Sequence, residues 1–246
     1  MHCGFHKCLT MYTRRTYKRA CRLDFRLPRG FRHFHHRIDE FYEGCDRYRV
    51  CSVSGNSIDL NRFDDIRVVR FIRDPRDLLV SGYHYHIKGI EGWCHTKSPK
   101  EADWSEVRGA IPSGLPEGES LNSYLKKAPR DEGMRLELDF RRYHFTSMRE
   151  WPDDDLRARV YRYEDILGNE VETFREILDF FGLQPLGKLW GLSYARRHAA
   201  GRRSARRDHI RNPKSGQWRD VLPEDVAKAV SRDYGDILAR YGYPPD

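Results

Sequence analysis

Residues 66–86 read IRVVRFIRDPRDLLVSGYHYH, an apolar strand that ends abruptly in a charged helix start. Ile66, Val68, Val69, Phe71 and Ile72 form a short run of β-branched and aromatic residues, the composition of a parallel strand buried on both faces. Arg73 follows at once. Asp74 then stands where an N-cap is needed, Pro75 at the first helical position and Asp77 at the third, so strand, turn and helix are specified within a few residues. A side chain at the carboxyl end of a parallel strand, beside the positive end of a helix, stands where α/β proteins bind anions. Arg73 and the hydroxyl of Ser81 are natural phosphate partners there. Taken alone, the same residues also describe a plain helix start in which Arg73 pairs with a nearby carboxylate.

The 246-residue chain is long enough for one sizeable α/β domain, and no break in composition demands two. Its 45 Lys and Arg against 37 Asp and Glu give a formal net charge of +8. That balance favours an anionic partner: nucleic acid, a phosphorylated cofactor, a sulfated or phosphorylated polymer, or a membrane surface. A content of 39% hydrophobic and 13% aromatic residues excludes a disordered basic tail. The six cysteines lack regular spacing and read as reduced thiols. There is no apolar run of about 18 residues. The start, MHCGFHKCLTMYTRR, is too polar for a signal peptide, so the expected location is the cytoplasm with no membrane span.

Upstream of the opening stretch, a very short apolar segment leads through Gly4, His6 and Lys7 to Thr10 and a basic helix. Thr10 can cap that helix and Lys7 lies just before its positive end, a phosphate cradle in outline. It is not a Walker A sequence, and Lys7 reads equally well as a surface lysine. His2, Cys3, His6 and Cys8 match no common zinc spacing, so no metal is expected. The segment LPRGFRHFHHRIDEFYE clusters His33, His35 and His36, as surface groups or with one of them as a general base. Residues 48–53, YRVCSV, read as a second parallel strand.

Downstream, residues 88–129 are irregular and carry scattered Pro, Gly and Ser, as in a plain insertion or an acceptor-side lid. Residues 132–151 read as one helix with Leu136, Phe140, Tyr143 and Met148 toward the core. Residues 158–163, ARVYRY, are a third strand, ended by Glu164 and Asp165. Asn169 then caps a helix whose stripe of Val171, Phe174, Ile177, Leu178 and Phe181 stops at Gly182. The basic stretch 196–219 is broken by Gly, Pro and Ser and holds Trp218 near Gly216, and Pro223 opens the last helix. Strand followed by helix recurs, so the expected fold is α/β: a single domain, 1–246, with a mainly parallel central sheet flanked by helices.

Several of these segments, in this order, resemble the PAPS-dependent sulfotransferases, which take sulfuryl groups from 3′-phosphoadenosine 5′-phosphosulfate (PAPS). FHKCLTMY at residues 5–12 is similar to the family's P-K-S-G-T-T-W loop, with Lys7 on its lysine, Thr10 on a phosphate-binding threonine, and Leu9 in place of the usual glycine. RDPRDLLVS at 73–81 matches the 3′-phosphate motif, an arginine, then N/D-P-x-D, then a serine eight positions beyond that arginine. YRYED at 161–165 resembles a strand-end Y-E-D, which puts Tyr163 on the adenosine side, and Ser193 with Tyr194 stand where a Ser/Thr-Phe pair packs on adenine. RNPKSGQWR resembles the R-K-G-x-x-G-x-W loop, with Arg211 on the 3′-phosphate arginine and Gly216 and Trp218 matching; Asn212 and Pro213 depart from it.

The resemblance implies a P-loop-kinase-like sulfotransferase architecture with PAPS as sulfuryl donor. It also implies an acceptor hydroxyl or amine on a carbohydrate, lipid or small molecule. Arginine–phosphate bonds contribute roughly 1.5–3 kcal/mol each, enough for two of them to select a donor bearing the 3′-phosphate. Lys7 would stabilise the leaving oxygen. Many family members carry a histidine base in a K-T-H segment where this chain has VSGNSID, so Asp59, His36 and His86 are the candidate bases. Two other readings compete. A nucleoside or small-molecule kinase would need a carboxylate for Mg²⁺ that no clear Walker B strand supplies, and a nucleic-acid-binding module would rest on the 196–219 stretch alone, without a recognised motif.

Overall fold

The structure, a computed structural model, describes residues 1–4, 7–54, 58–105, 107–199 and 215–245. They pack as two compact units, one made of Met1–Ile72 and Pro152–Lys214, the other of Arg73–Trp151 and Ser215–Asp246. Among the described residues no helix is long and apolar enough to cross a membrane.

The first unit holds the sheet. Its five strands are β1 (His2–Gly4), β2 (Phe31–His33), β3 (Val50–Ser54), β4 (Val68–Ile72) and β5 (Ala158–Arg162), in the order β2-β3-β1-β4-β5 with every pair parallel. In β1, His2 stands opposite Ser52 on one side and Val69 on the other. Because β3 and β4 lie on opposite sides of β1, the chain reverses its winding there, and the loop after β1 leaves from a topological switch point. The three central strands are buried along their whole length, whereas β2 and β5, at the edges, are half exposed.

The strand at the heart of the opening stretch runs from Val68, not Ile66, and the second expected strand from Val50 to Ser54, after a 3₁₀ turn over Cys45–Arg47. Besides the short helices Ile38–Gly44 and Tyr163–Ile166, two elements of this unit lie outside the sequence expectation. One is β2, inside the segment read as polar surface. The other is a helix over Pro185–Arg197, which packs closely on the helix Thr10–Arg22. Gly187 and Gly191 permit that approach: a Cβ on Gly187 would lie 2.7 Å from the Ala20 carbonyl oxygen, and one on Gly191 2.8 Å from the Ala20 Cβ. Asn169 does precede the helix Glu170–Phe180, but its side chain makes no cap bond; Glu170 instead accepts from the Gly168 N–H. Gly182, at φ +65°, ends that helix region as expected.

The second unit is helical: Pro75–Lys88, Leu121–Lys127, Arg130–Phe140, Arg142–Arg149, Trp218–Val221 and Glu224–Arg240. Asp74 caps the first of these, its carboxylate accepting the Arg76 N–H at 2.9 Å, with Pro75 leading the helix. The single helix expected over 132–151 is two, divided at Arg141, whose ψ of 0° breaks the turn. The break rotates Tyr143 to the surface, while Leu136, Phe140 and Met148 are buried as expected. The irregular 88–129 segment is not a plain appendage. Trp104, Leu121 and Leu125 from it join Leu79, Tyr83 and Trp218 in one core.

Candidate active site

In the second unit the residues around Arg73 form one connected arrangement. Arg73 is buried and follows directly on β4; Ser81, two turns into the helix, is half-buried. Asp77 accepts the backbone N–H of Gly216 at 2.6 Å and that of Trp218 at 3.0 Å, joining segments 139 residues apart. Gly216 has φ +76°, a conformation that suits glycine. Burial pushes the Asp77 carboxyl above its ordinary value, against the nearby Arg73 charge and the two N–H bonds, which favour ionisation. Trp218 is buried, and the guanidinium carbons of Arg76 and Arg219 lie 3.7 and 4.5 Å from the centre of its ring. So the helix start read as a phosphate site and the G-x-W segment read as its partner do come together.

His86, one of the candidate bases, also belongs to this unit. It is buried, with Nδ1 2.7 Å from Glu137 Oε2 and its ring against Trp93 and Phe140. The other Glu137 oxygen accepts from Arg141 Nε at 2.8 Å.

In the first unit Lys7 and Leu9 both take positive φ, +72° and +59°. Leu9, not Thr10, occupies the N-cap position, and Thr10 is the first helical residue. Tyr194 is buried and stacks on His198 with ring centres 4.0 Å apart, and Tyr163 is buried just after β5. The three histidines sit at the carboxyl end of β2, on the same side of the parallel sheet as the Lys7 loop. His33 lies 2.8 Å from Ser52 Oγ and 3.5 Å from Ser54 Oγ. Burial first, then the charges of Arg14, His35 and His36, push it down to about 3, so it is neutral at physiological pH. His36 is half-buried in the following turn. Asp59 is exposed; its carboxylate accepts the Asn61 N–H, which makes it the cap of a short turn. Arg211 lies outside the described residues.

Sequence reasoning passed over three residues. Asp77 was read as part of a helix start, yet it anchors the 216–218 segment; Arg76 was given no role, yet it fixes Trp218. Arg14 is half-buried with no carboxylate at ion-pair distance among the described residues, and burial, then Arg15, lower its pKa. The Asp-Pro-x-Asp spacing could have flagged Asp77; nothing local could have flagged Arg14. Among the described residues no group of three or more His, Cys, Asp or Glu is placed to hold a metal ion.

A parallel five-stranded sheet flanked by helices is an α/β architecture shared by many enzymes, and the comparisons narrow it. Residues 60–242, well over half of the chain, match the family described as sulfotransferase domain, so the chain belongs to that family. The structure of mouse sulfotransferase SULT7A1 complexed with PAP overlays on 98% of this chain and 87% of the mouse chain, with a TM-score of 0.54 and 12% identity. That likeness shows a common fold. Retinol dehydratase in complex with androsterone and inactive cofactor PAP overlays on 78% of this chain and 53% of its own, at 20% identity and a TM-score of 0.40, too partial for the folds to be compared. No sequence among the curated proteins matches the chain. Lys7, Thr10, His36 and Asp59 precede the matched residues.

Proposed function

We propose that this sulfotransferase uses PAPS as donor and transfers its sulfuryl group to a hydroxyl or amine of a small-molecule, lipid or carbohydrate acceptor. The observation that carries the reading is the fastening of Gly216 and Trp218 to Asp77, four residues after Arg73, which gathers two arginine-bearing segments at one helix start. The residues fit such a donor. Arg73 and Ser81 would hold the 3′-phosphate, with Arg211 added from the segment before Gly216, and Tyr163 and Tyr194 would face adenosine. Lys7 and Thr10 would receive the 5′-phosphate, and Arg14 is a half-buried cation with no carboxylate at ion-pair distance among the described residues. When bound, the donor supplies an activated sulfuryl group on an anhydride with phosphate.

The chain's own part is positioning and charge. Lys7, at the switch point of the sheet, would neutralise charge building on the leaving phosphate oxygen, and no metal is needed for that. Proton removal from the acceptor is assigned to His36, which stands in the turn beside neutral His33. Asp59 is the carboxylate candidate, but its exposure and its capping bond suit it less. His86 would have to act from a buried site with its Nδ1 committed to Glu137. The 88–129 segment, anchored by Trp104 and Leu121, would form the acceptor side. Calorimetry with 3′,5′-adenosine bisphosphate tests the donor. Micromolar binding in the wild type, lost by at least about tenfold in Arg73→Ala and in Lys7→Ala, is expected. Absence of binding, or Mg²⁺-dependent ATP turnover instead, would overturn the reading.

A further inference from the structure

The helices Thr10–Arg22 and Pro185–Arg197 lie antiparallel, Thr16 and Ala20 of the first against Gly191 and Gly187 of the second. Because small residues fill the contact, the large apolar residues of the second helix point away from it. Leu186, Leu189 and Trp190, at helical spacing on one face, are 51%, 67% and 40% exposed. The chain leaving the first helix passes the start of the second. Asp24 accepts the Gln184 N–H at 2.9 Å, which sets the following Phe25 and Leu27, 55% and 80% exposed, beside the start of the second helix. Single exposed leucines need no explanation, but three large apolar side chains on one helix face, with two more exposed in the chain beside its start, do.

The charge on the two helices themselves has one sign. No Asp or Glu occurs from Thr10 to Leu23 or from Pro185 to Ala199, while Arg15, Lys18 and Arg22 form an exposed stripe on the first helix. Arg19 bridges the two helices, its guanidinium 5.9 Å from the Trp190 ring and 5.1 Å from the Tyr194 ring. The nearby acid Asp179 is paired with Lys188. The core of a protein–protein interface is depleted in charge and in lysine. Leucine and tryptophan bordered by long cations, with no acid on either helix, instead match the boundary between lipid headgroups and acyl chains, where the cations meet lipid phosphates and the aromatic ring sits at headgroup depth.

We propose that this face is a membrane-docking surface that binds an anionic lipid bilayer, with Leu186, Leu189 and Trp190 entering the interface and Arg15, Lys18 and Arg22 engaging the headgroups. Docking of this kind is peripheral and needs no spanning helix. It is independent of the donor and acceptor assigned above, and the test uses neither.

The test is sedimentation of the full chain with vesicles of phosphatidylcholine alone and of phosphatidylcholine with phosphatidylserine. Each cation near an anionic leaflet contributes about fivefold, so the wild type should partition at least about tenfold better to the anionic vesicles, and less as salt rises. Trp190 emission should shift to the blue on binding. The double variant Leu189→Ser/Trp190→Ser should lose about tenfold in partition with its helical content unchanged, and Arg15→Glu/Lys18→Glu should lose the preference for phosphatidylserine. Equal binding to both vesicle types, or undiminished binding by Leu189→Ser/Trp190→Ser, would overturn the proposal. So would a dimer in solution that this double variant converts to a monomer, because the face would then be a contact between copies.

Discussion

The guanidinium carbon of Arg76 lies over Trp218, 3.7 Å from the ring centre, while the group grips both carboxylate oxygens of Asp74 at 3.0 and 2.9 Å and the Pro244 carbonyl at 2.7 Å. One fully buried cation thus ties the helix cap, the segment after the basic stretch and the end of the chain together. Arg76→Ala leaves the buried Asp74 without its fork partner and should cost about 3–5 kcal/mol in urea unfolding. Arg76→Lys keeps the charge but not the planar fork or the stacking, and should recover only part of that loss. Equal stability of Arg76→Ala and wild type would show the contact to be incidental.

Asp77 has two oxygens and two backbone N–H partners, Gly216 and Trp218. An amide has only one acceptor, so in Asp77→Asn one N–H meets an NH₂ group. The loss at neutral pH should be about 1–3 kcal/mol. The 216–218 segment should loosen, so adenosine bisphosphate affinity should fall with stability, whereas a purely structural contact would lower stability alone. Thermal unfolding and calorimetry on the same variant separate the two.

At Gly82 the second unit has no room for a side chain. A Cβ there would stand 1.9 Å from Arg141 Nη2 and 2.3 Å from Glu137 Oε1, the buried pair that also holds His86. Gly82→Ala should therefore cost about 1–3 kcal/mol by overpacking. Glu137→Ala should cost about 3–5 kcal/mol, because Arg141 is left buried without a counter-charge. The double variant should cost less than the sum, since removing Glu137 makes room for the new methyl. Strict additivity would mean that the two groups do not share space.

How much of this could be read from the sequence depended on how local each cause is. The turn from Ile72 to Asp77 was legible because cap, proline and apolar run act within a few residues, and the parallel sheet followed from repeated strand and helix alternation. β2 was not, since three residues with Arg32 in the middle are too short for a period. The helix Pro185–Arg197 was hidden by Gly187 and Gly191, which weaken helix propensity and yet are the residues that let it pack. Tyr143 was placed in the core because the break at Arg141 depends on a buried ion pair with Glu137, a contact no periodicity reports. In the candidate site, motif spacing pointed to the helix start after Arg73 and to the segment holding Trp218, whereas the bonds through Asp77 that join them span 139 residues and only folding reveals them.

His33 supplies a pH dependence with a definite sign. Its native pKa, lowered to about 3 from an ordinary 6.5, means that the unfolded chain binds a proton between those values and the native chain does not. Stability is therefore lost as pH falls from about 6.5, with a slope of up to about 1.4 kcal/mol per pH unit from this one group. His33→Gln cannot take up that proton. Its unfolding free energy should decline less steeply than the wild type's between neutral and mildly acidic pH in parallel denaturant titrations. Identical slopes would mean that the ring is solvated enough to titrate in place.

Leu9 stands at φ +59°, ψ +20°, a left-handed backbone position, where the resembling phosphate loops carry glycine. For a residue with a Cβ that conformation costs about 1–2 kcal/mol. Leu9→Gly removes the clash but gives back about 0.5–1 kcal/mol in chain entropy and the partial burial of the leucine side chain. The net effect should be between neutral and about 1 kcal/mol stabilising. Leu9→Val keeps an apolar side chain but adds a branch at Cβ, which the left-handed region accommodates worst, and should destabilise by about 1 kcal/mol or more. The melting temperatures should rank Leu9→Gly at or above wild type and wild type above Leu9→Val. A valine variant as stable as wild type would mean that residue 9 does not hold this conformation in solution. The loop that presents Lys7 would then have a different shape from the one described.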